Sequence, residues 1–370
     1  MSLRPRLLLL APTVGESIGG TETVVARLAE QFAEWATLTL VTGESGGGLH
    51  GPAIHAPLTL HRVPFAGRQT PQNRWQVRWL MQNPFRVESR SFFRSLDRLE
   101  LDLRHFDAVL TFYEHDAWLL AARLGADGPP ALHLLPGVGH RRFFRRVKAA
   151  DVLFVGHRGA ARSRRKWGIT CESLPLGVDT PFFVPEAPER PPSRRLVFVG
   201  RLDGSKRVDW LADAFVQWGL AAQGYTLEII GDGPLGESLR RRHQHTRSLL
   251  LLGRKPPAEV AARLRGARLL LHPTELESFG LTLLEAMASG VPVITHDLPP
   301  IRAWASDHPV YADRLDAAAW RAAITAFEDE ERWHAAAVRG LALAQQFSWA
   351  AIAAPIRAKL EARIQTTRRT

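Results

Sequence analysis

Arg194-Arg-Leu-Val-Phe-Val-Gly-Arg-Leu-Asp-Gly-Ser-Lys-Arg-Val208 passes from a basic lead-in through an apolar run into glycines, and a helical pattern continues from about Val208 to Trp218. An apolar strand, a glycine turn and a helix, in that order, is how a doubly wound α/β domain begins. The same layout occurs earlier: Arg6 to Ala11 leads into Gly15, Gly19 and Gly20, followed by a helix from about Thr21 to Glu34. Two such openings predict two similar domains in one chain.

Short apolar segments alternate with amphipathic ones in both halves, as parallel sheets require. The expected strands are Leu38 to Val41, Ala108 to Phe112, Ala131 to Leu135 and Val152 to Val155 in the first half. In the second they are Leu227 to Ile230, Leu249 to Leu252, Leu269 to Leu271 and Val291 to Thr295. Pro181 to Ser193 is rich in proline and poor in periodicity, which marks it as a linker. The expectation is an α/β chain of two Rossmann-like, doubly wound parallel-sheet domains facing across a cleft. Residues 1–180 form the first, 181–193 the linker and 194–346 the second. Residues 347–370 carry a last helix, Ala350 to Ile364, expected to pack back toward the first domain.

The bulk numbers agree. At roughly 150 residues per domain, 370 residues suit two. A hydrophobic content of 45% with 23% charged residues is that of a folded soluble protein, which excludes disordered and fibrous classes. Cys171 is the only cysteine, so no intrachain disulfide or thiolate metal cage can form, in keeping with a reducing cytoplasm. Leu7 to Pro12 follows Arg4 and Arg6 as a signal peptide would, but it is too short and runs directly into polar, glycine-rich sequence. No run approaches the roughly 20 apolar residues of a spanning helix, so membrane contact would be at a surface. The net charge of +11 suits an anionic partner, whether nucleotide, phospholipid or nucleic acid, and equally suits a GC-rich genome.

Ligands of doubly wound sheets bind beyond the carboxyl ends of the strands, where turns and helix starts present N–H groups to anions. The stretch His272-Pro-Thr-Glu-Leu-Glu-Ser-Phe-Gly-Leu-Thr-Leu-Leu-Glu285, followed by Ala286-Met-Ala-Ser-Gly-Val-Pro-Val-Ile294, suits such a position. Ser278 and Gly280 disfavour helix and Leu281 to Ala288 favours it, so a helix is expected to begin near Phe279 to Leu281. Its free N–H groups would meet a phosphate. Glu277 precedes that end and Glu285 lies about 6 Å further along the axis, which would place a sugar beside Glu277 and a ribose beside Glu285. Two surface glutamates on a capped helix would share that spacing.

Glu277 and Glu285, set in Glu-Ser-Phe-Gly and Glu-Ala-Met-Ala-Ser-Gly-Val-Pro-Val, resemble the signature of the glycosyltransferase family 4 enzymes of GT-B fold. Gly19-Gly20-Thr21-Glu22, Phe198-Val-Gly-Arg-Leu-Asp-Gly-Ser-Lys206 and Ile229-Ile-Gly-Asp-Gly-Pro234 agree with it. Leu174-Pro-Leu-Gly-Val-Asp-Thr-Pro-Phe182 is similar to the family's interdomain segment, with Leu176 in place of the usual asparagine. The resemblance implies a retaining hexosyltransferase using a nucleotide-diphosphate sugar, a UDP- or GDP-sugar, and a hydroxyl acceptor. It implies that Arg201 and Lys206 hold the leaving diphosphate, that Gly20 lets the first loop approach the phosphates, and that Glu277 contacts the donor sugar and Glu285 the ribose. The implied donor site further comprises Gly200, Gly231, Arg254, Ser278, Phe279, Gly280, Leu281 and Thr282. Fixed cations stabilise a departing diphosphate without a metal, and no DxD motif occurs, so no metal or other cofactor is expected.

Gly231-Asp-Gly-Pro-Leu-Gly236 satisfies G-x-G-x-x-G after a strand, with Arg254 beyond it, so a dehydrogenase is the natural rival. Two features oppose that reading: the strand is the second of its domain, and Pro234 removes a backbone donor within the phosphate turn. A basic nucleic-acid-binding protein is the other alternative, but no zinc finger or RNP motif supports it.

On the acceptor side, family members often place a catalytic histidine where this chain has Pro136. His133, His115 and His140 are candidate substitutes, each also readable as structural or solvent-facing; His140, in the loop after the strand Ala131 to Leu135, is preferred. In a retaining enzyme the departing phosphate can itself take the acceptor's proton. Arg74, Arg78, Arg86, Arg90, Arg94 and Arg98 recur at spacings of four or eight among Trp75, Trp79, Phe85, Phe92 and Phe93, on helices broken at Pro84. That pattern fits a face lying on anionic lipid and equally a solvated arginine face over an ordinary core. Arg141, Arg142, Arg145, Arg146 and Lys148 add a second basic cluster. A cytoplasmic protein with a hydroxyl acceptor and no nucleic-acid partner is expected; an anionic or lipid-linked acceptor and a peripheral place on the anionic inner membrane face stay open as alternatives.

Overall fold

The computed structural model describes residues 4–16, 20–46, 53–68, 70–125, 128–137, 139–179, 182–184, 193–313 and 315–369. The chain divides into two compact units: residues 1–176 with 349–370, and residues 177–348.

The first unit begins with β1 (Arg6–Leu10), α1 (Gly20–Phe32), β2 (Thr37–Glu44), β3 (Thr59–Pro64), α2 (Pro71–Leu80) and α3 (Pro84–Leu96). It continues through β4 (Ala108–Thr111), α4 (Glu114–Leu124), β5 (Ala131–Leu135), β6 (Val152–Val155), α5 (His157–Trp167) and β7 (Glu172–Leu174). The sheet order is β3-β2-β1-β4-β5-β6-β7, all parallel. Leu7 to Leu10 of β1 are fully buried, which explains their unbroken apolar run: a central parallel strand is covered on both faces.

The second unit runs β8 (Arg195–Val199), α6 (Val208–Gln217), β9 (Thr226–Ile230), α7 (Gly236–His243), β10 (Leu249–Gly253) and α8 (Pro257–Leu264). Then follow β11 (Leu269–His272), α9 (Leu281–Ala288), β12 (Val293–His296), α10 (Pro299–Ala305), β13 (Val310–Ala312), α11 (Ala317–Thr325) and α12 (Glu330–Ala344). Its parallel sheet has the order β10-β9-β8-β11-β12-β13. Both sheets therefore wind outward in both directions from their first strand. The chain then returns to the first unit as α13 (Trp349–Arg369), which packs against α1. Ile352, Ile356, Leu360 and Ile364 of α13 are buried, one stripe at a spacing of four. Arg363 fixes the helix further, donating to Ala131 O at 2.8 Å and pairing with Asp151 at 2.8 Å.

Each expected strand is present: β5 and β6 have the expected bounds, and the others differ at one or both ends, most at β2, which extends to Glu44, and β12, which begins at Val293. Three strands lay outside the expectation: β3, β7 and β13. The division between units falls after Leu176 rather than in the expected linker, most of which lies outside the described residues. Val178 N–H donates to Phe347 O at 2.8 Å, so the start and end of the second unit lie side by side. Among the described residues no helix is long and apolar enough to cross a membrane.

Candidate active site

The second sheet switches winding direction between β8 and β11, which pair through Leu196↔Leu269 and Val197↔Leu270. The loops leaving their carboxyl ends therefore emerge as neighbours, the position where such sheets bind ligands. The two loops are joined by backbone: Glu275 N–H donates to Ser205 O at 2.9 Å, and Thr274 Oγ1 to the same oxygen at 3.3 Å.

That pairing brings three chemical groups together. Lys206 Nζ donates to Glu277 Oε2 at 2.6 Å, and His272 Nε2 lies 3.4 Å from the same oxygen. Ser278 N–H donates to Glu277 Oε1 at 3.0 Å. Burial opposes ionisation of Glu277, yet the His272 hydrogen bond and the Lys206 charge outweigh it and hold the carboxylate well below the usual range. His272, the last residue of β11, is 1% exposed, and burial beside Lys206 pushes its pKa down despite the facing carboxylate. The ring is therefore neutral and donates from Nε2. Its Nδ1 is buried with no hydrogen-bond partner among the described residues.

Lys206 owes its place to Asp203. The Asp203 carboxylate accepts from Ser205 N–H at 2.9 Å and Ser205 Oγ at 2.6 Å, closing the short turn Gly204–Lys206 before α6. Burial works against Asp203 ionising, but Ser205 and Arg201 prevail and lower its pKa. Arg201 pairs with Asp203 at 2.5 Å and is 74% exposed, so among the described residues Lys206 and not Arg201 meets Glu277. Arg254 is exposed just past β10.

The helix α9 starts at Leu281, with Gly280 as its N-cap at φ 95° and no side-chain cap. Among the described residues no side chain caps the N–H groups of its first turn, those of Leu281 and Thr282. Only glycine adopts Gly280's conformation without strain. The Phe279 ring faces the core, stacked on Trp304 at 4.8 Å, while Trp304 Nε1 donates to Phe279 O at 2.8 Å. The Phe279 ring and carbonyl are therefore both engaged within the second unit. Glu285, one turn into α9 and partly buried, has its pKa raised to about 7 by burial and then by the Asp179 carboxylate.

Gly200 and Gly231 are neighbours for a packing reason. A Cβ on Gly231 would lie 1.8 Å from Gly200 O, and one on Gly233 would lie 2.5 Å from Leu202 O. Gly200 N–H donates to Ile230 O, and Leu202 N–H to Asp232 O, both at 3.0 Å. The G-x-G-x-x-G turn is thus occupied in holding the β9 loop against the β8 loop. This gives the dehydrogenase alternative no support.

In the first unit Gly20 opens α1 and is exposed; its neighbour Gly19 lies outside the described residues. His140 Nδ1 accepts from Phe143 N–H at 3.0 Å and lies 3.1 Å from Glu114 Oε1. Its Nδ1 is thus engaged within the first unit by the Phe143 amide and the Glu114 carboxylate. His133 is buried in β5, bonded through Nδ1 to Thr111 Oγ1 at 2.8 Å, with its pKa pushed down to about 3 by burial. It is a core histidine. His115 is partly buried, its pKa lowered by burial and then by His140, Arg86 and Arg90.

The family model for group 1 glycosyl transferases matches residues 193–329. This segment is a group 1 glycosyltransferase domain. Over 198 residues the chain is 31% identical to D-inositol 3-phosphate glycosyltransferase of Segniliparus rotundus, a match covering 49% of this chain and 44% of that protein. The first curated relatives are matched over about a quarter to under half of their own length. The fold of the whole chain is GT-B: sucrose-phosphate synthase from Thermosynechococcus elongatus superposes with a TM-score of 0.74 at 18% identity, covering 96% of this chain and 98% of that one. Anabaena HepE in complex with UDP-glucose gives 0.71 at 14% identity, with 97% and 100% covered.

Within the glycosyltransferase domain, the sequence named Glu277 and Lys206 but not His272 or Asp203. A buried histidine ending an apolar strand has no local signature, and its approach to Glu277 depends on the loop between them. Asp203 was visible as a Ser/Asp capping pattern before Lys206, the one signal that would have found it.

Proposed function

We propose that the protein is a retaining, metal-independent hexosyltransferase that takes a sugar from a UDP- or GDP-sugar and delivers it to a hydroxyl acceptor in glycolipid, polysaccharide or glycoconjugate synthesis. The observation that carries the reading is the Lys206–Glu277 pair, backed by His272, beside the uncapped start of α9. In the reaction the bond from sugar C1 to the diphosphate oxygen breaks and its electron pair leaves with that oxygen. A new bond forms from C1 to the acceptor oxygen, whose proton passes to the departing diphosphate.

Charge accumulates on the leaving group, where a lysine held in place and a helix N-terminus are effective because they need no reorganisation. Glu277, kept ionised, accepts from donor-sugar hydroxyls. Glu285 meets ribose hydroxyls. The family match and the UDP-glucose bound by HepE favour a nucleotide-sugar donor. The acceptor is an anionic or lipid-linked molecule at an anionic membrane face, in keeping with the net charge of +11. A panel of nucleotides and nucleotide-sugars tests the donor: one should raise the melting temperature above the rest. Failure of every nucleotide to do so would sink the reading. The anomeric configuration of the product by NMR, and turnover in excess chelator, test retention and metal independence.

A further inference from the structure

We propose that the corner formed by α2 and α3 is a docking wedge for an anionic phospholipid bilayer. This deepens the acceptor part of the proposed function and rests on it for its purpose, but lipid binding is measured without catalysis.

Helix α2 turns its apolar residues outward. Its buried residue is Asn73, whose Nδ2 donates to Ala66 O at 2.8 Å and Pro84 O at 3.1 Å, so an amide and not an indole fixes the helix to the unit. Trp75 is 56% exposed, Trp79 67% and Met81 91%, with Leu80 and Phe85 exposed beside them. Met81 ends the helix at φ 48°, in the left-handed region, where the chain turns toward α3. Helix α3 behaves in the ordinary way: Phe92 and Phe93 lie in the core. The aromatic residues thus divide, two in the core and three outside.

Cations frame the exposed group. Arg78 lies over the Trp79 ring at 6.0 Å and Arg68 over Phe85 at 4.6 Å. Arg86, Arg90 and Arg94 follow along the outer face of α3 at a spacing of four. Among the described residues Arg78, Arg86, Arg90 and Arg94 form no ion pair. Helix α2 contains no carboxylate, and the one in α3, Glu88, is turned inward to Arg68. The surface therefore offers indoles, aliphatic side chains and unneutralised guanidinium groups together. At a bilayer the indoles take the headgroup level, Leu80 and Met81 enter the acyl boundary, and the arginines meet phosphates. A second copy of the same face would bring arginines against arginines.

Sedimentation of the full chain with phosphatidylcholine vesicles, with and without about 30 mol % phosphatidylglycerol, tests this. Wild type should partition onto the anionic vesicles and be released at high salt. Trp75→Ser/Trp79→Ser should lower partitioning at least about tenfold, and Arg78→Gln and Arg86→Gln about fivefold each. The melting temperature and its rise with UDP or GDP, measured on the same proteins, should be unchanged, which shows that the variants fold. Equal partitioning of wild type and the double tryptophan variant overturns the proposal, as does loss confined to the arginine variants. A lipid-free dimer that dissociates in the tryptophan variant, or equal loss of oligo(dT) binding, assigns the face to another partner and also overturns it. Absence of stabilisation of wild type by both UDP and GDP would count against the donor site alone.

Discussion

Lys206 and Glu277 are 71 residues apart in sequence and 2.6 Å apart at the switch point of the second sheet. Lys206 is the cation that faces Glu277, alongside the His272 hydrogen bond, so losses at the pair should be coupled. Glu277→Gln and Lys206→Ala should each leave a folded protein and lower sugar transfer by at least about 100-fold. Lys206→Ala alone leaves a buried carboxylate short of a cation and should cost about 3 kcal/mol of stability. Adding Glu277→Gln should return most of it. A denaturation cycle on the four proteins measures the coupling, and additive losses would contradict it.

His272 should behave as a positioning residue. Replacing it by Phe keeps the stacking with Phe198 but removes the hydrogen bond to Glu277. A bond to a charged group of this kind corresponds to about 10- to 100-fold in rate. Because the bond lowers the Glu277 pKa, its removal should also move the acid limb of the pH–rate profile upward. A variant with reduced turnover and an unmoved acid limb would indicate a purely structural role.

Gly231→Ala and Gly233→Ala should damage the fold rather than the chemistry. Their φ angles, 145° and 159°, and the close approach of Gly200 O and Leu202 O leave no room for a methyl group. Each should cost at least about 3 kcal/mol. Thermal unfolding reads this directly, with Gly204→Ala, which has open space at its Cβ, as the neutral comparison.

Glu285 should give the second unit a pH-dependent stability. Its pKa is raised to about 7 in the folded chain from an ordinary 4.5, so between those values the folded state holds a proton that the unfolded state has lost. Stability must then fall as pH rises from about 4.5 to about 7. At about 1.4 kcal/mol per pKa unit the upper bound is about 3 kcal/mol, reduced by screening at the exposed part of the side chain. Glu285→Gln should match wild type at pH 4 and exceed it at pH 8. Asp116, buried in α4 beside Ser89 and Glu88 with its pKa likewise raised to about 7, imposes the same slope on the first unit. Asp116→Asn is the corresponding test there.

What the sequence revealed follows from burial. Strands such as β1 and β8 are covered on both faces and read as apolar runs, so both openings and the parallel character of the sheets were legible. Strand β3 was not, because as an edge strand it buries only Val63 among Thr59–Pro64. Strands β7 and β13, three residues each, are too short to show a period. The arginine-rich region was legible as two helices broken near Pro84, but spacing could not show that Trp75 and Trp79 face outward while Phe92 and Phe93 face inward. At the site, Glu277 and Lys206 carried their own motifs, whereas the joining of their loops through Ser205 O is a product of tertiary structure.

The return of α13 to the first unit has a consequence for synthesis. A ribosome completes residues 177–348 as one uninterrupted stretch, so that unit can close as it emerges. The first unit, though begun earlier, must wait for the helix that covers α1 and for Arg363, which reaches Ala131 and Asp151. During that interval its apolar surface is a natural client for chaperones.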